Sequence, residues 1–169
     1  MAINTTAESR FFIGPVINSD DYLDMTAEDA ITAFEAIADN DWTEVEEVED
    51  FGEHGDTSEE VTFTAVKNAR VRKLKGPRNA GTKTVVVGRD PLDPGQQDMA
   101  AAEGTKFNYA FKTIHADAPD DTYSSSIEYF GGMVMSKAVN QGNVSNVTRR
   151  TFAIGVNTAI YEVLPAVIP

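Results

Sequence analysis

Alternation of apolar and polar residues with a period of two is the pattern that most constrains the fold of this chain. Such alternation predicts β-strands that bury one face. Strands and longer helices do not follow one another in a regular rhythm, so a parallel doubly wound sheet is disfavoured. The alternating segments are residues 43–48, 61–65, 82–88, 106–111, 127–135 and 150–163.

Two segments have helical patterns instead. Thr26 followed by Asp29 resembles a capping box, and Ala30, Phe34 and Ile37 then fall on one helical face, which predicts a helix over 27–38. Residues 96–103 are alanine-rich and precede Gly104, which predicts a second short helix. With six or seven strands, these patterns predict a mainly β fold, a β-sandwich or open barrel with one or two short flanking helices.

The length of 169 residues predicts one domain over residues 1–169. Residues 1–16 are predicted to form an N-terminal arm with a short apolar segment at 11–16, and 164–169 an apolar, proline-bounded tail that docks on a neighbour or on the domain itself. Residues 76–81 are predicted to be a turn between two arms of a long hairpin.

Composition excludes several classes of protein. The absence of cysteine excludes disulfides and cysteine-ligated metals. The N-terminal residues lack the basic and apolar regions of a secretory signal, and no apolar run approaches the roughly 18 residues of a membrane span. We therefore expect synthesis and assembly in a cytoplasm, without membrane insertion.

Charge is distributed unevenly along the chain. Residues 1–60 contain 18 of the 27 acidic residues and one basic residue, Arg10, a net charge of −17; the remainder has 9 acidic and 13 basic residues, a net charge of +4. One interpretation is an acidic, solvated N-terminal region. The other is a polarity that orients self-assembly. The acidic total disfavours binding along a DNA backbone.

The basic residues concentrate where acidic residues are missing. No Asp or Glu lies between Glu60 and Asp90. A nucleic-acid patch is one interpretation, but few aromatic residues accompany it. We expect these residues to contact the acidic third of another subunit instead. They are Lys67, Arg70, Arg72, Lys73, Lys75, Arg78, Lys83 and Arg89.

Signals for catalysis, metals and cofactors are weak. His54 lies between Glu53 and Asp56, but nothing nearby supplies a nucleophile or an oxyanion hole. The acidic loops at 39–46 and 90–98 lack the spacing of an EF-hand, and no glycine-rich nucleotide-binding loop occurs. We predict no catalytic residue, no metal and no cofactor. Met133 and Met135 are predicted to be core residues.

The order of several segments resembles that of a known family. Residues 48–56, Val-Glu-Asp-Phe-Gly-Glu-His-Gly-Asp, resemble a signature of the major tail tube proteins of long-tailed (siphovirus-type) bacteriophages. No single motif is diagnostic, but the ordered series extends over residues 45–156. The later members are residues 61–64, 69–76, 81–88, 96–103, 106–112, 132–134, 142–143 and 146–152.

The resemblance implies a non-enzymatic virion protein with the phage tail-tube fold. Six copies would form a ring, and rings would stack into the tail tube that conducts phage DNA into the host without binding it specifically. Its partners would be further copies of itself, a tape measure protein in the lumen, and the tail terminator and distal tail proteins. Its location would be the virion tail, assembled in the cytoplasm of the host bacterium.

Alternatives remain open at this point. A tail terminator or head–tail connector ring, or the tube protein of a contractile injection system, would share the fold. A small-ligand binding module and a metal-dependent hydrolase are alternatives of other classes.

The resemblance also implies residue roles. Residues 51–81 would be the long loop or hairpin between rings, with contacts from Phe51, Glu53, Asp56, Arg70, Arg72, Lys73 and Lys75. An acidic lumen would repel DNA and let it slide, because duplex DNA carries one negative charge per roughly 1.7 Å of axis. The predicted lumen-lining residues are Glu44, Glu46, Glu47 and Glu49.

Overall fold

The computed structural model describes residues 4–168 of the chain. Within that range the chain forms ten strands, two α-helices and two short 3-10 helices, Ser19–Tyr22 and Asp39–Asp41. In chain order the elements are β1 Arg10–Ile17, α1 Ala27–Glu35, β2 Thr43–Val45, β3 Val48–Asp50, β4 Thr57–Thr64, β5 Val71–Asn79, β6 Thr82–Gly88, α2 Pro94–Glu103, β7 Asn108–Ile114, β8 Ile127–Asn140, β9 Arg149–Val156 and β10 Tyr161–Val163.

One antiparallel sheet of eight strands forms the body of the protein. Its order is β2-β1-β7-β8-β9-β6-β3, and β10 pairs with the first residues of β8. The two edge strands, β2 and β3, are separated in the chain only by Glu46 and Glu47. The sheet therefore curves until its edges meet, as an open barrel. The predicted mainly β class with short flanking helices is confirmed.

The N-terminus of α2 lies where these edges meet, a place we call the seam. The Asp93 carboxylate caps the helix by accepting from the backbone N–H groups of Gly95 (3.0 Å) and Gln96 (3.2 Å), and it also accepts from that of Glu46 (3.1 Å). The Gln96 side chain donates to the carbonyl of Gly88 at the end of β6 (2.9 Å). These bonds satisfy the free donors of the helix and join both edges to it.

Alternate residues of the strands fill the barrel interior. Phe11, Phe111 and Phe130 form a stack, with ring centroids 5.8 Å and 5.1 Å apart. Burial of each such ring stabilises the fold by about 1.5–3 kcal/mol. The remaining buried apolar residues of the interior are Ile13, Val45, Ala80, Val85, Val87, Met99, Ala102, Val134, Phe152, Ile154 and Val156.

Helix α1 covers a second core on the outer face of the sheet. The Thr26 hydroxyl accepts from the backbone N–H of Asp29 (3.2 Å), so the predicted cap forms. The helix then buries Phe34 between Tyr22 and Tyr129, whose ring centroids lie 4.8 Å and 5.4 Å from it. The other buried members of this core are Phe12, Ala30, Trp42, Ala110 and Tyr161.

Several predicted boundaries are wrong because long-range contacts override local pattern. The single strand predicted over 43–48 is two strands, since Glu47 has a φ of 56° and breaks it. The long strand predicted over 150–163 is interrupted at 157–160, where the Thr158 hydroxyl accepts from the backbone N–H of Gly131 (2.7 Å).

The hairpin and the N-terminal arm also differ from the prediction. The hairpin predicted around a turn at 76–81 is wrong, because β5 pairs with β4 whereas β6 pairs with β9 and β3. β5 continues to Asn79, and only Ala80 and Gly81, with a φ of 72° at the glycine, connect it to β6. The predicted arm is a strand of the sheet from Arg10 onward, because Phe11 and the residues after it are buried. Residues 1–3 of the predicted arm lie outside the described residues.

Two further predictions, the end of α1 and the burial of the methionines in β8, differ from the structure. The helix predicted over 27–38 is shorter and ends at Glu35. Met133 is only partly buried and belongs to neither core, and Met135 is 61% exposed, so the prediction that both are core residues is wrong. A bulge in β8 between Val134 and Ser136 changes the register at this point.

The C-terminal tail docks on its own domain. Ser124 donates its backbone N–H to the carbonyl of Ala166 (2.8 Å), and Ile168 donates to that of Thr122 (2.7 Å). The side chains of Leu164, Val167 and Ile168 remain exposed. Pro169, the last residue of the predicted tail, lies outside the described residues. Among residues 4–168, no helix has the length and apolar character needed to cross a membrane.

Candidate functional site

Strands β4 and β5 form a separate two-stranded hairpin, which we call the hairpin. Within residues 4–168 these strands pair only with each other. Val61 lies opposite Leu74 and Phe63 opposite Arg72, so these four side chains share one face. Val61, Phe63 and Leu74 are 45%, 55% and 57% exposed. The hairpin therefore presents an apolar face to solvent.

The other face of the hairpin is polar. Lys73 lies opposite Thr62, and its ammonium group is 2.8 Å from a carboxylate oxygen of Glu60. A two-stranded hairpin by itself is marginally stable in water. A contiguous exposed apolar face is typical of a surface that contacts another molecule. The apolar face of the hairpin is thus the strongest candidate interaction surface of the described residues.

The structure places the predicted inter-ring residues in two groups. Arg70, Arg72, Lys73 and Lys75 lie on the hairpin and are exposed. Phe51, Glu53 and Asp56 lie in residues 51–56, the base segment, which leads from β3 to β4.

The base segment packs mainly within its own subunit. Phe51 is half-buried and packs against the barrel interior of its own subunit. Asp56 forms an ion pair with Arg78 at the end of β5, with an oxygen-to-nitrogen distance of 3.1 Å. Of the three predicted residues here, only Glu53 has an exposed side chain.

The four predicted lumen-lining residues come together at the seam, but two are paired with arginines. The Arg10 guanidinium donates to Glu44 (Nε to Oε1, 2.8 Å), and that of Arg149 donates to Glu49 (2.9 Å). These hydrogen bonds lower the pKa of both carboxyl groups. Glu46 and Glu47 are exposed between the two edge strands.

A partly buried charge network lies at one end of the barrel. The Lys83 side chain is only 1% exposed, and its ammonium nitrogen is 3.0 Å from Nδ1 of His54. Nε2 of His54 is 2.8 Å from Oε2 of Glu128, and Nε2 of His115 is 3.4 Å from Oε1 of the same carboxylate. We call these four residues the interior charge network.

Burial and charge set the protonation of this network. Burial lowers the pKa of Lys83 to about 8, against the opposing fields of Glu128 and Asp50. The close polar contact with His54 lowers the pKa of Glu128, although burial opposes that shift. The ammonium group also lies 5.8 Å and 5.9 Å from the ring centroids of Phe11 and Phe130. A lysine among aromatic rings is stabilised there by its acidic and aromatic neighbours.

Sequence reasoning missed the network, although one signal for it was present. Lys83 occupies the same alternate positions of β6 as Val85 and Val87, both fully buried. A lysine at such a position must be paired. His54 was considered only with Glu53 and Asp56, its neighbours in the chain, whereas its partners are distant in sequence. Among the described residues no cluster of metal-binding side chains occurs.

The fold is similar to that of two solved structures. A chain of the anti-feeding prophage (AFP) baseplate, whose structure is six-fold symmetrised, aligns over 97% of this chain and 98% of that chain, with a TM-score of 0.64 and 7% identity. The SPP1 tail tube protein aligns over 91% of this chain and 75% of that chain, with a TM-score of 0.57 and 12% identity. The chain has a tail-tube fold.

The likeness is one of fold, since both identities are low. No protein-family model matches the sequence, and no curated protein matches it. The predicted tail-tube fold is confirmed by the two structures.

Proposed function

We propose that this protein is a structural, non-enzymatic subunit of a phage-type tail, and that its copies assemble into stacked rings that form the tail tube. One observation carries the proposal: a tail-tube fold with a projecting hairpin whose apolar face is uncovered in the single chain. Another copy of the chain covers this face. Head-to-tail contacts of this kind propagate into filaments when they do not close.

We assign six copies to each ring and a siphovirus-type tail to the whole. The six-fold symmetrised baseplate with the same fold is consistent with this number.

Charge supports the direction of stacking. The basic residues of the hairpin, Arg70, Arg72, Lys73 and Lys75, are exposed, and so are the acidic residues in and before α1 of the body. Attraction between these surfaces on adjacent copies favours one stacking sense. Since screening limits it to about 8–10 Å at physiological salt, burial of the apolar face supplies most of the affinity. The acidic residues are Asp20, Asp21, Asp24, Glu28, Asp29 and Glu35.

We narrow the proposed lumen-lining residues to two of the four acidic residues at the seam. Glu46 and Glu47 are the better candidates for repelling DNA, because Arg10 and Arg149 offset the charges of Glu44 and Glu49. In this proposal DNA passes without specific binding, and a tape measure protein occupies the lumen during assembly. Terminator and distal tail proteins cap the ends in the virion tail, which forms in the host bacterial cytoplasm.

Electron microscopy of the purified chain tests the proposal. We expect long tubes from the wild-type protein. The triple variant Arg70→Glu, Arg72→Glu and Lys73→Glu should form no tubes, while its circular dichroism and unfolding midpoint stay unchanged. Single rings would instead support a terminator or connector. A protein that stays monomeric at all concentrations and salt conditions contradicts self-assembly.

A subunit of a contractile injection system is the second candidate. The likeness to the AFP baseplate chain favours it, because that alignment covers nearly the full length of both chains. The genes beside this one discriminate between the two: sheath and baseplate genes support the injection system. A tape measure gene without a sheath gene supports the long flexible tail.

A further inference from the structure

We propose that His54 acts as a proton-operated latch. While the His54 ring is neutral, it holds the base segment, and with it the base of the hairpin, against the barrel. Protonation of the ring in mild acid releases the base segment. The latch concerns the folded subunit itself. Its consequence for assembly, described last, rests on the proposed function.

The base segment lies directly on β6. Gly52 has a φ of 66°, and a Cβ atom at this position would be 2.0 Å from the carbonyl oxygen of Thr84. The backbone N–H of Gly52 donates to the Asp50 carboxylate (2.8 Å). Only glycine fits this close approach and this backbone conformation. From here the chain directs the His54 ring toward Phe130, 5.7 Å away between centroids.

Hydrogen-bonding rules determine the state of the His54 ring. A charged lysine has only donors, and an ionised carboxylate has only acceptors. Nδ1 of His54 faces Lys83 at 3.0 Å, and Nε2 faces Glu128 at 2.8 Å. Because Lys83 donates, Nδ1 of the ring must accept, and the proton of the neutral ring is then on Nε2, the nitrogen beside Oε2 of Glu128, an oxygen with no aligned hydrogen bond of its own. This is one of the two neutral tautomers.

A second proton on His54 breaks this arrangement. It must bind to Nδ1, where it would point at the ammonium group of Lys83 with no acceptor between the two cations. Lys83 is 1% exposed, so water does not screen the repulsion well. The ring relieves it by leaving the site. Histidine is the side chain that gains charge between about pH 5 and 8.

Other charged groups also lie around the network and affect its contacts. His115, which follows β7, contacts the same Glu128 carboxylate, so a proton on His115 draws that carboxylate away from His54. Asp50 from β3 favours the charged form of Lys83 on β6, which keeps the ammonium in place. Asp117 lies close to His115, and its carboxylate accepts from the backbone N–H of Ser126 (2.8 Å).

Movement of the base segment reaches the hairpin. Asp56, its last residue, is paired with Arg78 (3.1 Å), and the next residue, Thr57, donates its hydroxyl to the carbonyl of Asn79 (3.0 Å). The start of β4 and the end of β5 are thus both tied to the segment that His54 holds. Release of the ring frees the orientation of the hairpin.

Hydrogen exchange on the full-length, unassembled chain tests the latch. After correction for intrinsic rates, the protection factor of the Gly52 amide, which donates to Asp50, should fall by roughly tenfold between pH 7 and pH 5.5, as expected for opening linked to uptake of one proton. Amides of β6 should not change. In His54→Gln, whose amide also accepts and donates but gains no proton, protection should be the same at both pH values. Equal loss in the variant, or no loss in the wild type, overturns the latch.

A second measurement needs no variant. The imidazole ¹⁵N chemical shifts of wild-type His54 at pH 7, below the pKa of Lys83, should report the Nε2–H tautomer, and the Nδ1–H tautomer would overturn the latch. His115→Gln is the matched control for the second histidine, and it should retain most of the pH-dependent loss. A loss that disappears in His115→Gln but persists in His54→Gln contradicts the assignment.

Measurements of tube formation distinguish failure of the latch from failure of the proposed function. If both hold, wild-type tubes form less readily at pH 5.5 than at pH 8, and His54→Gln tubes form equally at both. If no tubes form from either protein at any pH while the exchange result holds, the latch stands and self-assembly is contradicted. Tubes with unchanged exchange contradict the latch alone.

Discussion

Strands β6 and β4 have the same alternation of apolar residues and opposite surroundings. In β6, Val85 and Val87 are completely buried inside the barrel. In β4, Val61 and Phe63 are about half exposed, on a hairpin with no third strand or helix against it in residues 4–168. Alternation thus predicts a strand and its apolar face, but not what covers that face. In β6 the cover comes from the same chain; in β4 we assign it to another copy.

The largest effect on stability is expected from removal of an aromatic ring from the barrel interior. Phe130→Ala should lower the free energy of unfolding by about 3–5 kcal/mol, because the ring is fully buried in a stack and leaves a cavity. Urea denaturation followed by circular dichroism measures the loss. Thr62→Ala on the hairpin is the control, and an equal loss there would contradict the difference between the two regions.

The second-largest effect is expected from Lys83, the charged residue on the interior face of β6, through the pH dependence of stability. Lys83 has a pKa of about 8 in the folded protein, below the ordinary lysine value of 10.5. Between pH 8 and 10.5 the unfolded chain therefore binds a proton that the folded protein does not, and the free energy of unfolding rises with pH. Relative to Lys83→Met, the wild type should gain roughly 3 kcal/mol over this window. A relative loss with rising pH would mean that the fold favours the charged form.

On the hairpin, truncation should affect assembly rather than folding. Phe63→Ala should change the free energy of unfolding of the monomer by about 0.5 kcal/mol or less, because the side chain is 55% exposed there. Tube formation should fall sharply, since the ring is buried only between copies. Sedimentation velocity measures the assembled fraction. Thr62→Ala on the opposite face should assemble normally, and normal assembly of Phe63→Ala would refute the assigned contact.

The smallest effect on stability is expected from Glu44 at the seam. Glu44→Gln should lower stability by at most about 1 kcal/mol, because the ion pair with Arg10 is partly exposed and screened. The pKa of Glu44 is lowered by this pair, so its contribution is present above the ordinary pKa of glutamate and is lost as the pH falls through the lowered value. The difference between wild type and variant, measured by urea denaturation from pH 7 to pH 3, should therefore disappear in acid. A constant difference contradicts an electrostatic origin.

The accuracy of the sequence predictions differs between elements for a physical reason. The start of α1 was correct because a cap is a local interaction between Thr26 and Asp29. The break at Glu47 was missed because the two strands on either side of it pair with β1 and β6, at opposite ends of the sheet order. The site residues on the hairpin and the seam remain predictions. Their exposure and pairing are observed, whereas their partners belong to other copies.

The sequence by itself determined the class of the fold, because strand period, helix caps and turn residues act over a few positions. It also determined the charge asymmetry, since that follows from the order of the charged residues along the chain. Only the tertiary structure decided that β4 and β5 stand apart from the sheet, and that Lys83, His54, Glu128 and His115 meet in the interior. These outcomes depend on which strands pair across long separations, and the pairing is selected by packing of the whole chain.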